Sequence, residues 1–284
     1  MACELIPWQS YIIGAILEPV NFAALYDETT REDERKVLAS RHRPTGGRRK
    51  LRKIESFEPR TLDSKTLYFS ETVNLLAIFG RPNVDLNISS PGVIDIHAYA
   101  SRKRRGLGRW TEDAVESAVA GTILQTVMTI THQINLLSTQ YEWGRRCADV
   151  APMRAHREPY VWAKWDAGRM HAATLAVFTF PPWVLQADEL AAFASTTVFR
   201  DTNPCEYGRN MWDVPQMLWA MIHDFCAGHN IPHFVLTTYE KWIFGVFTED
   251  YRVAYAKPAM DLGARGPTVL QTFLFWMEAA TRDR

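Results

Sequence analysis

Cysteine is scarce in this sequence of 284 residues, and its four copies are widely spaced: Cys3, Cys147, Cys205 and Cys226. Such spacing does not form the framework of a disulfide-rich secreted domain, and it favours a reducing compartment. Long apolar runs are also missing, since no stretch reaches the roughly 18 uncharged residues that cross a bilayer. We therefore expect a cytoplasmic or nuclear protein without a membrane partner.

Excess charge of either sign is absent, because 32 basic residues balance 32 acidic ones. A neutral chain does not coat nucleic acid non-specifically, although a local cluster of charge is still able to contact phosphate. The chain also lacks a G-x-S-x-G elbow, a phosphate-binding P-loop and a complete G-x-G-x-x-G loop. These absences argue against the hydrolases and nucleotide-dependent enzymes that use those motifs.

Aromatic residues, in contrast, are abundant, with 10 tryptophans and 14 phenylalanines in a chain that is 47% hydrophobic. That apolar content is sufficient to bury a core. Segments with a helical period interleave with segments that alternate, and no linker is long enough to separate two cores. We therefore expect one α/β domain of the α+β type over residues 1–284, with a central mixed sheet flanked by helices.

The elements of this fold are expected along most of the chain. The helical period predicts a helix from Ser70, a second from Thr111 to about Gln140, and three more at 188–194, at 215–228 and after Gly266. Alternating or short continuous apolar runs predict strands at 84–88, 93–99, 175–180, 233–238, 242–247 and 252–256.

Two of these strands carry the residue types of a metal site. The turn at 89–92 predicts a hairpin of 84–88 with 93–99, and alternation places Asp95 and His97 on one face of the second strand. Asp85 lies on the polar face of the first strand. Two converging carboxylates suit Mg²⁺, which in such a site activates water against a phosphodiester. The hairpin thus predicts Asp85 and Asp95 as ligands of Mg²⁺.

The order helix, strand with Asp, turn, strand with acid-x-basic residue, helix resembles the core of the PD-(D/E)XK nucleases. The resemblance covers about fifteen residues and implies a restriction-endonuclease-like core. It implies Asp85 as the first acid, Asp95 as the second, and His97 where the family has the lysine that positions or activates water. A neutral imidazole is a poorer electrostatic substitute for the charged ammonium group of lysine. The departure therefore leaves open a catalytic site with His97 or a nuclease-like fold whose metal site has decayed.

Two basic clusters are candidates for phosphate contact or nuclear import. Residues 41–53 are rich in Arg, Lys and Gly, which predicts an exposed basic loop. The second cluster follows the hairpin directly, and its members are Arg102, Lys103, Arg104, Arg105 and Arg109. Trp110 beside it is a candidate for base stacking. We expect this second cluster to bind nucleic acid next to the metal site.

The last third of the chain carries a longer pattern: Phe-Pro-Pro-Trp-Val-Leu at 180–185, Leu-Thr-Thr-Tyr at 236–239 and Trp-Ile-Phe-Gly-Val-Phe at 242–247. In order and spacing it resembles uncharacterised proteins of mushroom-forming (basidiomycete) fungi. A similar helix and strand pattern occurs in fungal proteins thought to have nuclease-like domains. The resemblance therefore implies a source and a fold, but no activity and no catalytic residues.

Three other interpretations remain open. One is a zinc site formed by His223, Cys226, His229 and His233, against which we favour a buried structural cysteine with surface histidines. Another is a non-catalytic binding or scaffold protein, which an exposed aromatic patch would favour.

The third is an enzyme of unrelated chemistry with a pocket built from residues 141–215. This region contains titratable residues without an ordered motif. They are Glu142, Arg145, Arg146, His156, His171, Asp201 and Glu206.

Overall fold

The computed structural model describes residues 49–80, 115–116, 118–145, 158–166, 169–199 and 213–282. Within these ranges the α-helices are α1 (Pro59–Gly80), α2 (Gln125–Ile134), α3 (Ala187–Ser195), α4 (Val214–His229) and α5 (Val269–Arg282). The strands are β1 (Lys53–Ser56), β2 (Tyr141–Gly144), β3 (Tyr160–Asp166), β4 (Arg169–Thr179), β5 (His233–Thr237), β6 (Lys241–Phe247), β7 (Val253–Ala256) and β8 (Met260–Asp261). A π-helical segment (Val119–Leu124) precedes α2, and a 3₁₀ helix (Leu136–Gln140) follows it.

The strands form one mixed sheet in the order β1-β7-β6-β5-β4-β3-β2, and β8 pairs with β6. The pairs β1–β7 and β4–β5 are parallel. Because parallel neighbours need a crossover connection, the chain between β4 and β5 passes through α3 and α4. The predicted α/β domain with a central mixed sheet is confirmed. The strands predicted at 84–88 and 93–99, on which a restriction-endonuclease-like core depends, lie outside the described residues.

Helices cover both faces of the sheet. On one face, Trp242 and Phe244 of the sheet contact Phe273 of α5 at ring distances of 6.0 and 5.8 Å. On the other face, Phe234 packs edge-on against Trp219 of α4 at 5.6 Å. Phe234 and Phe244 are fully buried, and successive residues of a strand point to opposite faces. The strands at the centre of the sheet are therefore apolar on both sides.

Local sequence signals fix the ends of α4. Asp213 caps its start by accepting a hydrogen bond from the backbone N–H of Gln216 at 2.9 Å, and Pro215 lies in its first turn. Asn230 ends the helix with a left-handed backbone, φ 55°. The helices predicted at 188–194, at 215–228 and after Gly266 are confirmed, as are the strands predicted at 175–180, 233–238, 242–247 and 252–256.

Two predicted helices have different ends. The helix expected from Ser70 begins at Pro59, where the preceding Glu58 accepts backbone hydrogen bonds from Thr61 and Leu62. The helix expected from Thr111 to Gln140 is helical at 115–116, passes through the π-helical segment and ends as an α-helix at Ile134. Its apolar stripe continues past Ile134, but Asn135 is extended, with φ −130° and ψ 102°.

The segment predicted as an exposed basic loop, 41–53, is described only from residue 49. Arg49 and Leu51 are buried, whereas Lys50 and Arg52 are exposed. Lys53 begins β1, which pairs with β7. The described part of this segment is therefore not exposed throughout, because Arg49 and Leu51 are buried and only Lys53 belongs to the edge strand β1.

Helix length and composition also bear on membrane contact. Among the described helices, none combines the length and the apolar composition that crossing a bilayer requires.

Candidate functional site

All of the predicted site residues lie in one segment that falls outside the described residues. These are the metal and catalytic candidates Asp85, Asp95 and His97, and the nucleic-acid candidates Arg102, Lys103, Arg104, Arg105 and Arg109. Their segment is bounded by described residues on both sides. Helix α1 ends at Gly80, and the next described residues, 115–116, are helical.

Both boundaries of this segment are fixed to the core of the domain. On the N-terminal side, Phe69 of α1 packs edge-on against Phe275 of α5, with ring centroids 5.7 Å apart. On the C-terminal side, Val115 is fully buried. The chain then continues into α2, where the Thr131 hydroxyl contacts the Met277 sulfur of α5 at 3.9 Å. Helix α5 thus contacts the helices on either side of the candidate segment.

A mostly buried ion pair of Arg145 with Glu116 lies close to the C-terminal boundary. The Nη2 of Arg145 donates to the Glu116 carboxylate at 2.7 Å, and the guanidinium carbon lies 4.0 Å from the centroid of the Tyr160 ring. The Nε of Arg145 is buried without a hydrogen-bond partner among the described residues. Both charged side chains are mostly buried. Arg145 therefore connects Glu116 to Tyr160 of β3, the strand next to the edge strand β2.

The four residues considered for zinc do not form a metal centre. The structure contains no group of three or more potential ligands within the described ranges. Cys226 is fully buried, and desolvation raises the pKa of its thiol well above the usual value, so the sulfur stays protonated. The structural interpretation of Cys226 is confirmed, but surface histidines were wrong for His223 and His233, which are both buried.

The charged residues considered for a pocket in 141–215 are described in part. Glu142 is exposed on β2, Arg145 is directed at Glu116, and His171 is an exposed residue 3.6 Å from Asp166. These three side chains therefore have separate surroundings. The other four, Arg146, His156, Asp201 and Glu206, lie outside the described residues.

An exposed aromatic patch, which would favour a scaffold, is not found in the part of the chain that the structure describes. Tyr68 and Val198 are the large apolar side chains exposed there. The described tryptophans are buried or half-buried, and many stack or pack edge-on in the core. The high tryptophan content accordingly serves packing in this region.

Two ion pairs with a buried cation were not anticipated from the sequence. Arg49 donates from two nitrogens to the Asp224 carboxylate at 2.7 and 2.6 Å. The Lys257 ammonium pairs with Asp63 of α1. In each pair the cation is almost fully buried and the carboxylate is partly exposed. No local pattern could have indicated them, since their partners are 175 and 194 positions apart.

Comparison with protein-family models, with curated proteins and with solved structures finds no match for this chain.

Proposed function

We propose that the protein is a divergent nuclease-like protein that binds nucleic-acid phosphodiesters through residues 85–109. Arg102, Lys103, Arg104, Arg105 and Arg109 supply the cations that contact phosphate. The observation that carries the proposal is the position of these residues, directly after two acidic strands predicted from the sequence and between two boundaries fixed to the core. A local cluster of cations attracts phosphate even in a chain without net charge.

Asp85 and Asp95 are proposed as the ligands of Mg²⁺. Their carboxylate oxygens are the donor type that this ion prefers, and the bound ion would supply a more acidic water beside the phosphate. His97 takes the place of the lysine of the PD-(D/E)XK nucleases. Since neutral imidazole stabilises developing negative charge less well than an ammonium group, we propose binding as the main activity and hydrolysis as weak or lost.

The cationic cluster is tested by the triple change Arg102→Gln, Arg104→Gln and Arg105→Gln. Binding to a short fluorescein-labelled DNA duplex, and to the matching single strand, is followed by fluorescence polarisation across a salt series. The slope of log K against log salt is negative, and each lost phosphate contact lowers its magnitude by about 0.9 for the duplex and about 0.7 for the single strand. We expect weaker binding and a slope whose magnitude is smaller by about 2 to 3 on the preferred form.

The matched control is the triple change Arg60→Gln, Lys65→Gln and Arg169→Gln. These three cations are exposed on α1 and β4, so the control removes the same net charge from another surface. It should bind almost as tightly as the wild type. Equal losses in the two variants would show that net charge alone drives binding and would contradict a site at 102–105.

A further inference from the structure

We draw no further inference here: the strongest candidate, the patch of exposed cations Arg52, Lys53 and Arg252 at the β1 edge of the sheet, already has carboxylate partners for Lys53 and Arg252, and nothing in the described part of the chain shows what covers it.

Discussion

At the scale of the residue, Gly245 shows how closely the core constrains a single position. It pairs with Phe234 across β5 and β6, and a Cβ built at Gly245 would lie 2.1 Å from the Phe234 ring. Both residues are buried, so the ring has no free space to enter. We predict that Gly245→Ala lowers the free energy of unfolding by about 1 to 3 kcal/mol, measured by urea denaturation.

The control for this change is Gly263→Ala, because a Cβ at Gly263 has no neighbour within 4 Å. It should change the stability by less than about 0.5 kcal/mol. Equal effects of the two substitutions would mean that backbone freedom, and not contact with Phe234, determines the result.

At the scale of the element, the cap of α4 is a feature that the sequence carries locally. Asp213 accepts from the N–H of Gln216 at 2.9 Å. We predict that Asp213→Ala lowers the free energy of unfolding by about 1 kcal/mol and that Asp213→Asn restores most of it. Urea denaturation measures both. A loss in Asp213→Asn as large as in Asp213→Ala would contradict capping.

The elements that could be predicted are those with such local signals. Strands β5 and β6 are continuous apolar runs, and α5 has a clear apolar stripe, so the sequence indicates all three. Strand β1 has one buried residue, Ile54, within a basic segment. An edge strand with one inward residue has no periodic signal, and β1 was therefore missed. Strand β3 was missed because its half-buried residues Lys164 and Trp165 interrupt the pattern.

At the scale of the whole molecule, contacts between distant segments were beyond prediction. The ion pair of Arg49 with Asp224 joins the start of the described chain to α4. We predict that Asp224→Ala lowers the free energy of unfolding by about 3 kcal/mol or more, because it removes the carboxylate that neutralises a buried guanidinium. The control Asp250→Ala, which removes the exposed partner of Arg252, should cost less than about 1 kcal/mol.

Equal losses in these two variants, measured by urea denaturation, would contradict the claim that burial of the Arg49 guanidinium makes its ion pair important for stability.

The fold class followed from composition and periodicity because these report how much surface each segment buries. Strand order and the buried ion pairs depend on which distant segments meet, and a single sequence does not encode that in any local pattern. The proposed nucleic-acid site rests on residue types and spacing within one short segment.

The most direct test of the proposed function is Mg²⁺ binding by isothermal titration calorimetry to the wild type, Asp95→Ala and Asp166→Ala. Asp166 is an exposed residue of β3 and controls for the loss of one surface carboxylate. We predict saturable binding to the wild type and to Asp166→Ala, and none to Asp95→Ala. Absence of binding to the wild type, or equal binding to Asp95→Ala, would contradict a metal site at Asp85 and Asp95.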